Sequence, residues 1–246
     1  MSLSVVIITL NAAEHIRNCL ESVKWADEIV VLDSGSTDAT VEICREYTPH
    51  VHLTDWPGFG RQKNRAIDYA TKDWILVLDA DEYLTSKLQA EIQGVIAQQT
   101  SVAAYQIRRI STFMGKPIHH GDWGKDWITR LFKKGTARFT DVLVHENLVV
   151  EGEVASLREI FLHDTVMNLE SALRKLNEYS SLGAEQMTIR GKKANFFQAY
   201  THGLWSFCRS YFVHLGFLDG KEGYLIALLI AQSSFYKYVK CAYLSK

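Results

Sequence analysis

The chain has 246 residues, a formal net charge of −1, 47% apolar residues and 22% charged residues. These proportions exclude global disorder and allow one substantial core, or one domain with an appended helical piece. A near-neutral total gives no reason to expect nucleic acid as a partner.

The opening run "SVVIITLN" reads as a strand that ends in polar residues. It lacks a basic leader and a cleavage site, so no targeting segment is expected there. Residues 13–24 suit a helix with Ile16, Leu20 and Val23 on one face. "EIVVLDSG" follows as a second strand and "STDATVEICREY" as a second helix, with Ser36 or Thr37 placed to cap it and Asp38 near its positive end. "HVHLTDW" is a short third strand, residues 60–71 a third helix, and "WILVLDA" a fourth strand. This alternation predicts a parallel sheet with helices on both faces, in which ligands bind beyond the carboxyl ends of the strands. Asn11, Asp33 and Asp79 to Asp81 all fall there.

The pattern then changes. Residues 85–98 read as a helix, and "AAYQIRRISTF", "ITRLFKKGTARF" and "LVHENLVVEG" as antiparallel strands turning at Gly115, Gly135 and Gly152. From Asn168 the chain is mostly helical. Between Arg190 and Lys246 eight basic residues face only Asp219 and Glu222, a net +6, and 13 of the 28 aromatic residues lie from Phe196 onward. A basic, aromatic end on an acidic body suggests a membrane surface or another anionic partner. The longest apolar run, residues 224–231, is too short to span a bilayer. Cys19, Cys44, Cys208 and Cys241 form no C-x-x-C pair and are expected to be reduced packing residues of a cytosolic protein.

The stretch "DWILVLDADE" places Asp79, Asp81 and Glu82 at the exit of a strand that reads as buried on both faces. Like charges at such a place raise one another's pKa unless positive charge sits between them. A divalent cation with hard oxygen ligands, Mg2+ or Mn2+, is the simplest remedy, and such ions share their coordination with substrate phosphates. In an extended segment Asp79 and Asp81 would point the same way. Asp33 suits a nucleobase edge or a ribose hydroxyl. Arg61, Lys63 and Arg65 suit a diphosphate.

The stretches "SVVIITLNAAEHIRNCLESV", "ADEIVVLDSGSTDAT", "GFGRQKNRAIDYATKDWILVLDADE" and "RLFKKG…VHE" resemble the inverting glycosyltransferase family 2, which has the GT-A fold. The likeness is strongest to the bacterial lipopolysaccharide-core β-1,4-glucosyltransferases, which move glucose from UDP-glucose to the first heptose; "FLDGKEG" at 217–223 also fits this subgroup. Where the family often has Lys-Asn-Glu after the first strand, this chain has Leu10-Asn11-Ala12.

The resemblance implies a GT-A catalytic domain over residues 1–165, with a nucleotide-sugar half to residue 100 and an acceptor half from 101, followed by a helical, basic and aromatic region over 166–246. It implies Asp79 and Asp81 as the D-x-D pair, with Asp81 the direct ligand of Mg2+ or Mn2+. His163, an imidazole in "IFLHDT", suits a further metal or phosphate contact. Thr9, Asn11, Asp33, Lys63 and Asn64 would line the UDP-sugar pocket. Glu146 is the first choice for the catalytic base, oriented by His145, with Asp141 and Asp122 as runners-up. Trp123, Trp127 and Arg130 would face the acceptor, a lipopolysaccharide core or other lipid-linked glycan at the inner face of the inner membrane. Other expectations keep the family but change the donor sugar, or use a polyprenyl-phosphate acceptor. A nucleotidyltransferase would release pyrophosphate, and a non-catalytic nucleotide-sugar or lipid-binding module would bind without turnover.

Overall fold

The computed structural model describes residues 1–124, 126–140, 147–166 and 168–244. In chain order these residues form β1 (Leu3–Thr9), α1 (Ile16–Val23), β2 (Glu28–Asp33), α2 (Thr40–Arg45), β3 (Val51–Leu53), α3 (Phe59–Tyr69), β4 (Trp74–Asp79), β5 (Glu82–Leu84) and α4 (Ser86–Ala97). There follow β6 (Ala104–Phe113), β7 (Lys116–Pro117), β8 (Asp126–Lys133), β9 (Ala137–Phe139), β10 (Leu148–Val150), β11 (Val154–Val166), α5 (Leu169–Ile189), α6 (Phe196–Cys208) and α7 (Gly220–Leu244). Two compact units result, one of residues 1–109 and 126–163, the other of 110–125 and 164–246.

The first unit is built on a sheet in the order β3-β2-β1-β4-β8-β6-β11-β5. β1 pairs in parallel with both β2 and β4, and β2 with β3, while β8, β6 and β5 pair antiparallel. β1 and β4 have no exposed residue, because both faces of the sheet are covered there. On one face Ile16, Leu20 and Val23 of α1, as the spacing predicts, join Leu88 and Ile92 of α4. On the other, Ala66 and Ile67 of α3 meet Val6, Ile8, Ile75 and Val77. Burying each such aliphatic side chain contributes about 1.5–3 kcal/mol. β3 lies on one side of β1 and β4 on the other, so the strand order reverses at β1, where α/β sheets leave a ligand crevice.

Two local expectations need correcting. Ser36 and Thr37 do not cap α2; Asp38 takes the Thr40 N–H at 3.0 Å instead. Ser36 turns back to Asp33, and the Thr37 N–H donates to Asn11 Oδ1 at 2.8 Å. The residue pattern also predicts no separate strand where the 13-residue β11 forms. Gly58, at φ +109, opens α3 in a conformation that a side chain would strain.

In the second unit α7 packs against α5 and α6, and Phe113, Ile118, Ala172 and Ile226 form its apolar centre. α5 and α6 start under Asn168 and Asn195, whose side chains accept from Ser171 N–H at 2.8 Å and Gln198 N–H at 2.9 Å. All four cysteines are free thiols. No helix among the described residues is long and apolar enough to cross a membrane.

Candidate functional site

The register sets Thr9 beside Asp33 and Ile8 beside Asp79, so β1, β2 and β4 deliver their last residues to one edge of the sheet. Asp33 is fully buried. Its Oδ1 accepts from the N–H groups of Gly35 at 2.9 Å and Ser36 at 2.8 Å, and its Oδ2 from the Ser36 hydroxyl. Asn11 sits at φ +49, which Asn tolerates better than most residues, and its N–H donates to Ser36 Oγ at 2.8 Å. Together they tie the turns after β1 and β2 into one rim. Beneath it, Thr9 Oγ1 is buried with no hydrogen-bond partner among the described residues.

Asp79 ends β4 among cations. Its Oδ2 accepts from Arg130 Nη2 at 2.8 Å, and its Oδ1 lies 3.0 Å from Lys63 Nζ. Glu82, fully buried, accepts through Oε1 from Arg130 Nη2 at 2.7 Å and Arg109 Nη1 at 3.0 Å. Its Oε2 takes the Asp79 N–H at 3.0 Å. Arg109 Nε also donates to Asp126 Oδ2 at 2.8 Å. Three carboxylates and three cations therefore balance, as charges taken out of water must. Burial pushes the Asp79 carboxyl up, but the Arg130 and Lys63 charges outweigh it and hold the group well below the usual carboxylate range. Burial pulls Arg130 down, and Glu82 and Asp79 more than restore it.

This changes one expectation. Arg130 is 3% exposed and directed at Asp79 and Glu82, so it is not open to an acceptor. Lys63 is likewise buried and paired with Asp79. Among the described residues, Arg130, Lys63 and Arg109 balance the charge on Asp79 and Glu82. Glu82, read in the sequence only as part of an acidic cluster, is the centre of the network. Its alternation with Asp79 across a tight turn was the available signal.

Asp81 stands apart from its neighbour. Residues 80 and 81 form a turn between β4 and β5, not the extended segment expected. There Asp81 Oδ2 lies 3.2 Å from Nε2 of His163, which β11 holds opposite Glu82. Burial raises the Asp81 carboxyl, the His163 contact outweighs that, and the net effect is a lowered pKa. Asp81 is 34% exposed and His163 16%. Among the described residues no three His, Cys, Asp or Glu side chains converge as a complete metal cage. The Asp81 carboxylate nonetheless suits Mg2+ or Mn2+ when substrate phosphates and water complete the shell, since such ions need only one or two protein carboxylates.

The remaining described site residues sit on other elements. Asn64 hydrogen bonds twice to Phe139, donating to its carbonyl and accepting its N–H, both at 2.9 Å. Trp127 is 47% exposed on β8. Trp123, in the second unit, packs edge-on to Phe113 at 6.0 Å and joins the apolar centre there. Asp122, in the same unit, pairs with Arg209 at 2.5 Å and His214 at 2.6 Å. Glu146, Asp141 and His145 lie outside the described residues.

The chain is 32% identical to an uncharacterized glycosyltransferase of Rickettsia prowazekii (strain Madrid E), over 99% of this chain and 87% of that protein. It is 28% identical to the lipopolysaccharide core biosynthesis glycosyltransferase LpsC of Rhizobium meliloti (strain 1021), over 94% of this chain and 91% of that one. A crystal structure of S. aureus TarS residues 1–349 in complex with UDP aligns with a TM-score of 0.37 and 24% identity, over 45% of this chain and 36% of that one. The α/β class expected from the sequence holds, with a sheet that is parallel from β3 to β4 and antiparallel at β8 and β6. The sequence profile of glycosyl transferase family 2 matches residues 4–149, which take in β1, β2, β4 and the turn bearing Asp81. The chain therefore belongs to glycosyl transferase family 2.

Proposed function

We propose that the protein moves a hexose, glucose in the first instance, from a UDP-sugar to a heptose of a lipopolysaccharide inner core, with inversion at the anomeric carbon. The likeness to LpsC along nearly the whole chain supports an acceptor in the lipopolysaccharide core. The observation that carries the reading is the division of labour at the end of β4: Asp79 is neutralised by Lys63 and Arg130, whereas Asp81 and His163 face each other with partial exposure.

The uridine would rest against the rim made by Asn11 and Asp33, with Thr9 Oγ1 offering a hydrogen bond. Asp81 and His163 would hold Mg2+ or Mn2+, which when bound supplies positive charge to the departing diphosphate. Arg130 and Glu82 would fix the Asp79 end of the turn, so that Asp81 stays aimed without reorganising. The acceptor hydroxyl must give its proton to a carboxylate. Glu146 is the residue we assign to that task. Asn64, through Phe139, anchors the strand that leads toward that segment. Trp127, exposed on β8, offers an aromatic face to an acceptor sugar. The reaction would run on the cytoplasmic side of the inner membrane.

UDP release measured over a panel of UDP-sugars, with a heptose-containing acceptor, tests this. UDP-glucose should support turnover that a chelator abolishes and Mn2+ or Mg2+ restores. Turnover with another donor alone would change the sugar, and acceptance of a polyprenyl phosphate in place of the heptose would change the acceptor. Pyrophosphate release from a nucleoside triphosphate, or binding without turnover, would overturn the reading.

A further inference from the structure

Between α6 and α7 the chain makes a π-helical turn, Arg209–Val213, and a 3-10 turn, Gly216–Asp219. Over this short loop Phe212, Val213, Leu215, Phe217 and Leu218 are all 44–61% exposed. A connection between two helices has no folding reason to hold five large apolar side chains in water.

The loop is firmly built. Asp219, buried, accepts from the N–H groups of His119 at 3.3 Å and His120 at 2.8 Å, and meets His120 Nδ1 at 3.0 Å. Asp122 holds Arg209 and His214 from the other end of the loop, and the Gly121 N–H donates to the His214 carbonyl at 2.8 Å. A Cβ on Gly223 would lie 1.9 Å from the Gly216 carbonyl oxygen, and one on Gly216 2.7 Å from that of Ser210, so the backbone closes on itself with no room for side chains. Leu215 is held at φ +60, a conformation seldom adopted by a bulky residue. Behind the tip, Tyr211 packs against Phe212 at 5.1 Å, Phe217 at 6.2 Å and Tyr224 at 5.7 Å. The apolar groups are thus displayed on a stiff base.

We propose that this loop is a membrane-docking foot that seats in the interfacial region of a bilayer bearing anionic headgroups. Charge selects this occupant. From residue 190 to the end, the only acidic residues are Asp219 and Glu222. The first is buried, and the second is shielded and paired with Lys116 at 2.9 Å. Arg190, Lys192, Lys193 and Lys221 are exposed. From residue 190 onward the described chain therefore exposes positive charge and no carboxylate, and the exposed Glu170, Glu178 and Glu185 lie on α5. α6 adds Phe197, Tyr200, Leu204 and Trp205 to the exposed set and carries no charged residue at all. Exposed aromatic and aliphatic groups on α6 and the loop, with Lys192 and Lys193 just before α6 and Lys221 just after the loop, suit a headgroup boundary. A second copy of the chain would bring the same excess of positive charge, and like charges facing each other oppose association. No described helix can span a bilayer, so the contact lies on the surface.

The inference rests on the surface of the second unit and not on the transfer reaction, so it is tested without donor or acceptor. Full-length protein is sedimented with phosphatidylcholine vesicles, with and without phosphatidylglycerol. Binding is expected to the anionic vesicles and to weaken in high salt. Phe212→Ser with Leu218→Ser should lower the partition coefficient at least about tenfold, given the apolar area removed. A second variant, Lys192→Glu, Lys193→Glu and Lys221→Glu, leaves the loop's packing alone and should lower it by a similar factor. Failure of the wild type to bind, or wild-type binding by the charge variant or by a folded loop variant, would overturn the proposal. So would light scattering that finds a dimer which the loop variant converts to a monomer.

Discussion

Of the twenty-nine large apolar side chains exposed among the described residues, twenty lie in the second unit, although it holds the smaller share of the chain. The first unit does the reverse. It buries Trp74, Phe132, Phe161 and its long aliphatics, and it also buries charge, in Glu82, Arg130 and Lys63. In the second unit the buried apolar positions on α5, α6 and α7 are mostly small, such as Ala172, Ala184, Ala199 and Ala227. Its helices approach closely on small residues and leave their large ones outside. The difference teaches that the first unit draws stability from a full core around an ionic centre, whereas the second presents a surface.

The sharpest way to break this comparison is to remove a buried cation. Arg130→Met should cost about 3–5 kcal/mol in chemical denaturation, because the fully buried Glu82 and the partly buried Asp79 lose their shared partner. A loss below 1 kcal/mol would mean that the ionic centre is not what holds the strand ends. Asp81→Ala should leave the fold intact and lower UDP release on the order of 10²–10³-fold. Equal activity would remove Asp81 from the site.

Acid sharpens the same contrast. The folded pKa of Asp79 is depressed, so its contribution to stability is fully present above the unfolded value of about 3.9 and is lost as pH falls toward the folded one. Asp81 shifts in the same direction. Thermal midpoints should therefore hold steady from neutrality down to about pH 4 and fall steeply below it. A fall that begins near neutrality would point to other groups.

These predictions show what the sequence made legible. The parallel strands from "SVVIITLN" to "WILVLDA" were readable because a strand covered on both faces is an unbroken apolar run, and their order implied where ligands bind. The identity of the counter-charge was not readable. Lys63 lies 16 residues before Asp79 and Arg130 lies 51 after it, on an antiparallel strand whose register only the folded sheet fixes. For the same reason Arg130 was expected on the acceptor side, and Asp122 was weighed as a base although its partners Arg209 and His214 lie some ninety residues away. The turn at residues 80 and 81 was missed because β5 is only three residues long.

Smaller effects complete the series. Asn64→Ala removes two hydrogen bonds to Phe139 and should cost about 1–2 kcal/mol, with a larger proportional loss of activity if the segment beyond Phe139 carries the base. Phe212→Ser should change stability by no more than about 0.5 kcal/mol, since its ring is already more than half in water. A larger loss would show that the exposed ring supports the loop rather than being displayed by it.

The crossing of Gly216 and Gly223 sets a rule for how this loop can diverge over evolution. A hydrogen atom is the largest substituent either position accepts, so the seven-residue spacing between them acts as a template rather than a preference. Among descendants that retain the loop, both glycines should be frozen while the residues between Phe212 and Leu218 interchange freely among greasy alternatives. A lineage that loses either glycine should lose the whole knuckle at once.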